Sequence, residues 1–70
     1  MHFLYQIVTS AYIYSLYEEE GDVFLHVLNL RTKESSDIFD ITKIMDALNE
    51  DTEVTFDDVS EVNDIITTVL

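Results

Sequence analysis

A single glycine, Gly21, and no proline serve all 70 residues, so the chain has one position where a left-handed backbone comes without steric penalty. Gly21 stands in Glu18-Glu19-Glu20-Gly21-Asp22, between two stretches rich in Tyr, Ile, Val, Leu and Phe. That arrangement predicts a β-hairpin closed by a three-residue loop with Gly21 in the left-handed position. Upstream, Phe3 to Tyr17 has the composition of extended chain. Its apolar residues fall on both alternating faces, which fits one long bent strand or two short ones. A helix over Phe3 to Val8 also satisfies the pattern, because Phe3, Leu4, Ile7 and Val8 would share a face.

Downstream, Val23 to Leu30 predicts a strand with Val23, Leu25, Val27 and Asn29 on one face and Phe24, His26, Leu28 and Leu30 on the other. Apolar residues on both faces mark a central strand covered on two sides. Arg31 to Ser36 reads as a polar turn and Asp37 to Asp40 as a short returning strand. Asp40 can cap a helix in which Ile41, Ile44, Met45 and Leu48 recur at helical spacing, ending at Asn49-Glu50-Asp51. Val54 and Phe56 suggest a short extended piece. Thr55, with Asp58 three residues on, resembles a capping arrangement, and Val59, Val62, Ile65, Ile66 and Val69 mark one face of a last helix. The predicted fold class is α+β in one domain over residues 1–70, a small antiparallel meander of three strands, or four, followed by two C-terminal helices. Leu25, Leu28, Ile44, Leu48, Val62 and Ile66 are its expected core.

Fifteen Asp and Glu stand against three Lys and Arg, a formal net charge of -12. That exceeds the magnitude of about 2–8 comfortable for a small domain. The first seventeen residues carry no charged side chain except His2, and every carboxylate lies between Glu18 and Asp64. Such a field repels nucleic acid and anionic membrane and attracts basic protein surfaces. Direct nucleic-acid binding is therefore excluded, since phosphates need cations. The uncharged N-terminal stretch has no basic leader region or cleavage site, and Gln6, Thr9, Ser10 and Ser15 interrupt it short of a membrane span. A cytoplasmic protein is expected.

Chemistry-bearing patterns are sparse. There is no Cys, hence no disulfide or thiol chemistry. Asp51 to Phe56 imitates the odd-position spacing of a calcium loop, but Phe56 stands where such a loop needs Gly, and its twelfth position is Val62. No metal or cofactor is expected. His26, alone inside an apolar strand, reads as a hydrogen-bonded core or interface residue, and no nucleophile or phosphate-loop motif is present. The chain is not expected to be an enzyme. The informative pattern is acidic: Asp57, Glu61 and Asp64 recur at i, i+4 and i+7, away from the helix's apolar face. Their axial separations of ~5–6 Å resemble the row of charges on a nucleic-acid strand. A solvated helix face, with Asp57 favoured by the N-terminal dipole, is the plainer explanation. The hairpin tip adds Glu18, Glu19, Glu20 and Asp22, and Asp46, Glu50, Asp51 and Glu53 form a third group. Tyr12 and Tyr14 share a strand face that is either core or a contact surface.

In size and composition the chain resembles the small acidic DNA mimics that phages and viruses encode as inhibitors of uracil-DNA glycosylase, restriction enzymes or CRISPR effectors. The resemblance implies a non-catalytic protein whose partner is the basic surface of a host nucleic-acid-binding protein. Asp57, Glu61, Asp64 and the tip carboxylates are the residues read here as its contacts. The alternative is an adaptor that binds through an apolar face carrying Tyr12 and Tyr14, with acidity serving steering and solubility. A homodimer formed through the sheet would cover the second apolar face of the central strand.

Overall fold

The computed structural model describes all residues, Met1–Leu70. Strands β1 (His2–Val8), β2 (Tyr12–Glu19), β3 (Asp22–Asn29) and β4 (Ser35–Ile38) precede helices α1 (Ile41–Glu50) and α2 (Phe56–Val69). The strands form one antiparallel sheet in the order β1-β2-β3-β4. The α+β class and the two C-terminal helices are as expected, and the sheet has four strands.

Local chemistry explains most boundaries. The β2–β3 loop has two residues, not three: Glu19 pairs with Asp22, and Glu20 joins Gly21 in the left-handed region, at φ 53° and 85°. Two successive positive φ values twist the turn in the sense the strands require. The N-terminal stretch forms two strands and no helix. Thr9 makes the reversal without glycine: its hydroxyl oxygen accepts from the Tyr12 and Ala11 amides at 3.0 and 3.3 Å. A short hydroxylated side chain here supplies the local hydrogen bonds of a turn. Asn29 similarly ends β3 one residue earlier than expected, since its Oδ1 accepts from the amides of Arg31 and Thr32 at 2.9 and 3.1 Å.

The returning strand lies two residues earlier than the sequence suggests, because Asp40 is committed to α1. Its Oδ1 accepts from the Lys43 amide at 3.3 Å. Thr55 caps α2, its Oγ1 accepting from the Asp58 amide at 3.1 Å. Val54 and Phe56 form no strand: Phe56 opens α2 with its side chain exposed, while Val54 packs against the core.

Both helices lie on one face of the sheet. Ile7, Tyr14, Leu16, Val23 and Leu25 point from the strands toward Ile44, Leu48, Val62 and Ile66. Leu16, Leu25, Ile44, Leu48 and Val62 are the most deeply enclosed, each such side chain contributing roughly 1.5–3 kcal/mol by leaving water. At Leu4 the register of β1 slips by one residue, which brings both Leu4 and Tyr5 against this core. Leu28 corrects the expected core. Opposite Ile13 in register, it lies on the other sheet face and is only half-buried.

Candidate binding surfaces

Contacts at two points orient α2. Glu53 Oε1 accepts from the Ser10 amide at 3.2 Å, and the Tyr5 hydroxyl donates to Asp58 Oδ1 at 2.7 Å. The helix therefore runs antiparallel to β1, toward the end of the sheet that carries the Glu20-Gly21 turn. With Val62 and Ile66 buried below, the carboxylates of Asp57, Glu61 and Asp64 are left exposed, without a hydrogen bond or ion pair. Asp57 and Glu61 lie close enough to Tyr5 to act on its hydroxyl, whose pKa is pushed up to about 12. The Asp58 hydrogen bond is the largest cause, followed by burial and the charges of Asp58, Glu61 and Asp57. Glu61 and Asp64 together border a shallow depression with Ile65, Thr68 and Val69.

The tip carboxylates Glu19, Glu20 and Asp22 are exposed, and Glu18 is half-buried at the end of β2. Register places Glu19 and Asp22 side by side on the face away from the helices. The third acidic group is partly structural. Asp51 Oδ2 accepts from the Tyr14 hydroxyl at 2.6 Å; burial first, then this bond, pushes the Tyr14 pKa up. Glu50, Asp51 and Glu53 rim an open cleft of about 490 Å³ whose wall includes Tyr12, Val27 and Ile38. Tyr12 is half-buried there. Tyr14 is a core residue, 5% exposed, which removes it as a contact in the adaptor reading.

One aromatic surface, exposed at its two ends, is not anticipated by the sequence reading. On the face opposite the helices, Phe3, Tyr17, Phe24 and Phe39 form a ladder across the strands. Ring centroids are 5.7 Å apart from Phe3 to Tyr17, 5.5 Å from Tyr17 to Phe24 and 5.1 Å from Phe24 to Phe39. Phe3 and Phe39 are 52% and 61% exposed. A depression of about 320 Å³ lies against the ladder, lined by Tyr17, Phe24, Phe39, Glu19, His26 and Asp37, with Met1 at its side. His26 Nδ1 and Asp37 Oδ1 are 2.7 Å apart there, the one ion-pair geometry in the molecule. The alternation in Val23 to Leu30 sets Phe24 and His26 opposite Leu25 but leaves open which face the helices take.

No group of three or more His, Asp and Glu side chains converges as a metal site requires. No helix is long and apolar enough to cross a membrane. No protein-family model, curated protein or solved structure matches this chain.

Proposed function

We propose that this chain is a non-catalytic acidic protein that occupies the basic surface of a nucleic-acid-binding protein, setting carboxylates where that surface takes phosphates. The reading is that of an inhibitor of the kind phages and viruses direct against host DNA-repair, restriction or CRISPR components in the cytoplasm. The observation that carries it is the state of the acidic side chains. Asp37, Asp40, Asp51, Glu53 and Asp58 are held by hydrogen bonds within the fold. The remaining carboxylates are held by none, and among them Asp57, Glu61 and Asp64 stand in a row on a helix pinned to the sheet at Tyr5. Like charges at i, i+4 and i+3 cost a few tenths of a kcal/mol per pair, and neither Arg31, Lys33 nor Lys43 offsets them through an ion pair. The backbone that carries the row is already ordered, so meeting a cationic surface costs only the freedom of the side chains themselves.

The test uses proteins from a cell extract captured on immobilised duplex DNA. Wild type should displace a discrete protein from that DNA, and do so less effectively as salt rises. The double variant Glu61→Gln with Asp64→Asn should keep or raise the melting temperature, since it relieves repulsion. It should displace the same protein about 2- to 30-fold less well, as loss of two exposed ion pairs implies. Equal displacement by variant and wild type at every salt concentration would leave α2 as a solvated face only.

A further inference from the structure

The helix layer uses one face of the sheet, and no helix covers the other. On that open face lie the rings of Phe3, Tyr17, Phe24 and Phe39; Phe3 and Phe39 are exposed, Tyr17 is half-buried and Phe24 is buried between its neighbours. Contiguous exposed apolar surface in a soluble chain marks a place where something docks. The side chains around this surface say what kind of thing. Glu19, Asp22 and Asp37 stand on the same face as the rings, and Asp37 holds His26 through only one oxygen. The Lys and Arg side chains lie elsewhere, Arg31 and Lys33 in the β3–β4 connection and Lys43 in α1, so none of them lines the depression.

We infer that the open sheet face is a docking surface for an arginine-bearing segment of a partner protein, with a guanidinium seated on the exposed Phe39 ring, beside Tyr17 and between Glu19 and Asp37. The negative face of an aromatic ring attracts a cation. A guanidinium is also flat enough to lie on the ring, weakly enough hydrated to leave water, and able to donate paired N–H groups to a carboxylate. An ammonium offers neither the plane nor the fork. The Tyr17–Phe24 and Phe24–Phe39 pairs are stacked, with interplanar angles of 24° and 29°, so Phe24 is covered by its neighbours and braces Phe39, whose ring stays exposed to meet the cation. A second copy of this chain fits less well. It would set its own Glu19, Asp22 and Asp37 against the same groups, between two molecules of formal charge -12, with no Arg or Lys of either copy on that face.

This inference rests on the preceding reading only in taking the partner to be basic, and it assigns a different surface. The experiment is a calorimetric titration with an oligo-arginine peptide and an oligo-lysine peptide of equal length and charge. Wild type should prefer the arginine peptide by about 2- to 5-fold for one exposed stacked cation. Phe39→Ala, at a mostly exposed ring, should bring the two affinities together while the melting temperature stays close to wild type. Phe3→Ala, at the far end of the ladder, provides the same test without touching the depression and should leave the preference intact. Glu61→Gln with Asp64→Asn should weaken both peptides by a common factor and keep the preference. Equal affinity of wild type for the two peptides overturns docking on the rings, even where the α2 variant still weakens both. An arginine preference that Phe39→Ala abolishes stands even where the α2 variant changes nothing, and in that case the α2 reading alone fails. A dimer in sedimentation equilibrium that Phe39→Ala dissociates would make the occupant a second copy and overturn the inference.

Discussion

Tyr5 and Tyr14 join the sheet to the helical layer through single hydroxyls, bonded to Asp58 and Asp51 across 53 and 37 positions of sequence. Both hydroxyls hold their protons more tightly in the fold than at their ordinary value of 10.0. Their contribution to stability is therefore complete below pH 10 and is withdrawn as pH rises from 10 toward about 12 and beyond, where the folded chain must also give the protons up. Alkaline melts should show stability falling in that window. Tyr14→Phe should lower stability near neutral pH by about 1–3 kcal/mol through loss of a bond to a charged group, and should flatten the alkaline fall. A variant that melts like wild type across the window would show that the hydroxyl is not what joins the layers. Neither bond was legible in the sequence, since nothing local relates residue 5 to 58 or 14 to 51. The core was legible to the extent that periodicity fixes phase. Leu25, Ile44, Leu48, Val62 and Ile66 were expected inside and are, while Leu28 was misplaced because its strand is apolar at both phases and period two does not say which face the helices choose.

Among the elements, the helices were the most legible, because Asp40 and Thr55 announce their starts with side-chain caps that the sequence displays. The strands were less so. The Thr9 turn uses a hydroxyl where a reader looks for glycine, and the β4 segment owes its position to α1's claim on Asp40. The Glu20-Gly21 turn gives a prediction at this scale. Glu20 occupies a left-handed conformation at φ 53°, which costs an ordinary L-residue roughly 1–2 kcal/mol and which asparagine tolerates better. Glu20→Asn should raise the melting temperature more than Glu20→Gln, which removes the same charge without the conformational preference. Thermal melts of the pair decide it: equal effects would assign any gain to charge alone.

At the scale of the molecule, repulsion dominates the surface. Fifteen carboxylates meet three basic side chains, and the one ion-pair geometry involves a histidine. Raising sodium chloride from 0.1 M to 1 M shortens the Debye length from ~10 Å to ~3 Å, so the melting temperature should rise with salt. A flat or falling trend would mean that the folded state carries no net repulsion. The acidic row on α2 was visible in the sequence as a spacing, and the structure leaves it exposed. The ladder on the opposite face was not visible, because its rings come from positions 3, 17, 24 and 39 and meet only through strand register. The two-layer arrangement divides labour within single strands. Along β2, Tyr12, Tyr14 and Leu16 face the helices while Ile13, Ser15 and Tyr17 face away, as the pleat requires. Alternate letters of the same eight-residue stretch thus answer to different selective demands, one set to internal packing and the other to whatever meets the open side. Evolution can rewrite the outward letters singly, with the inward ones unchanged, and so change what the molecule meets while leaving its interior as it was.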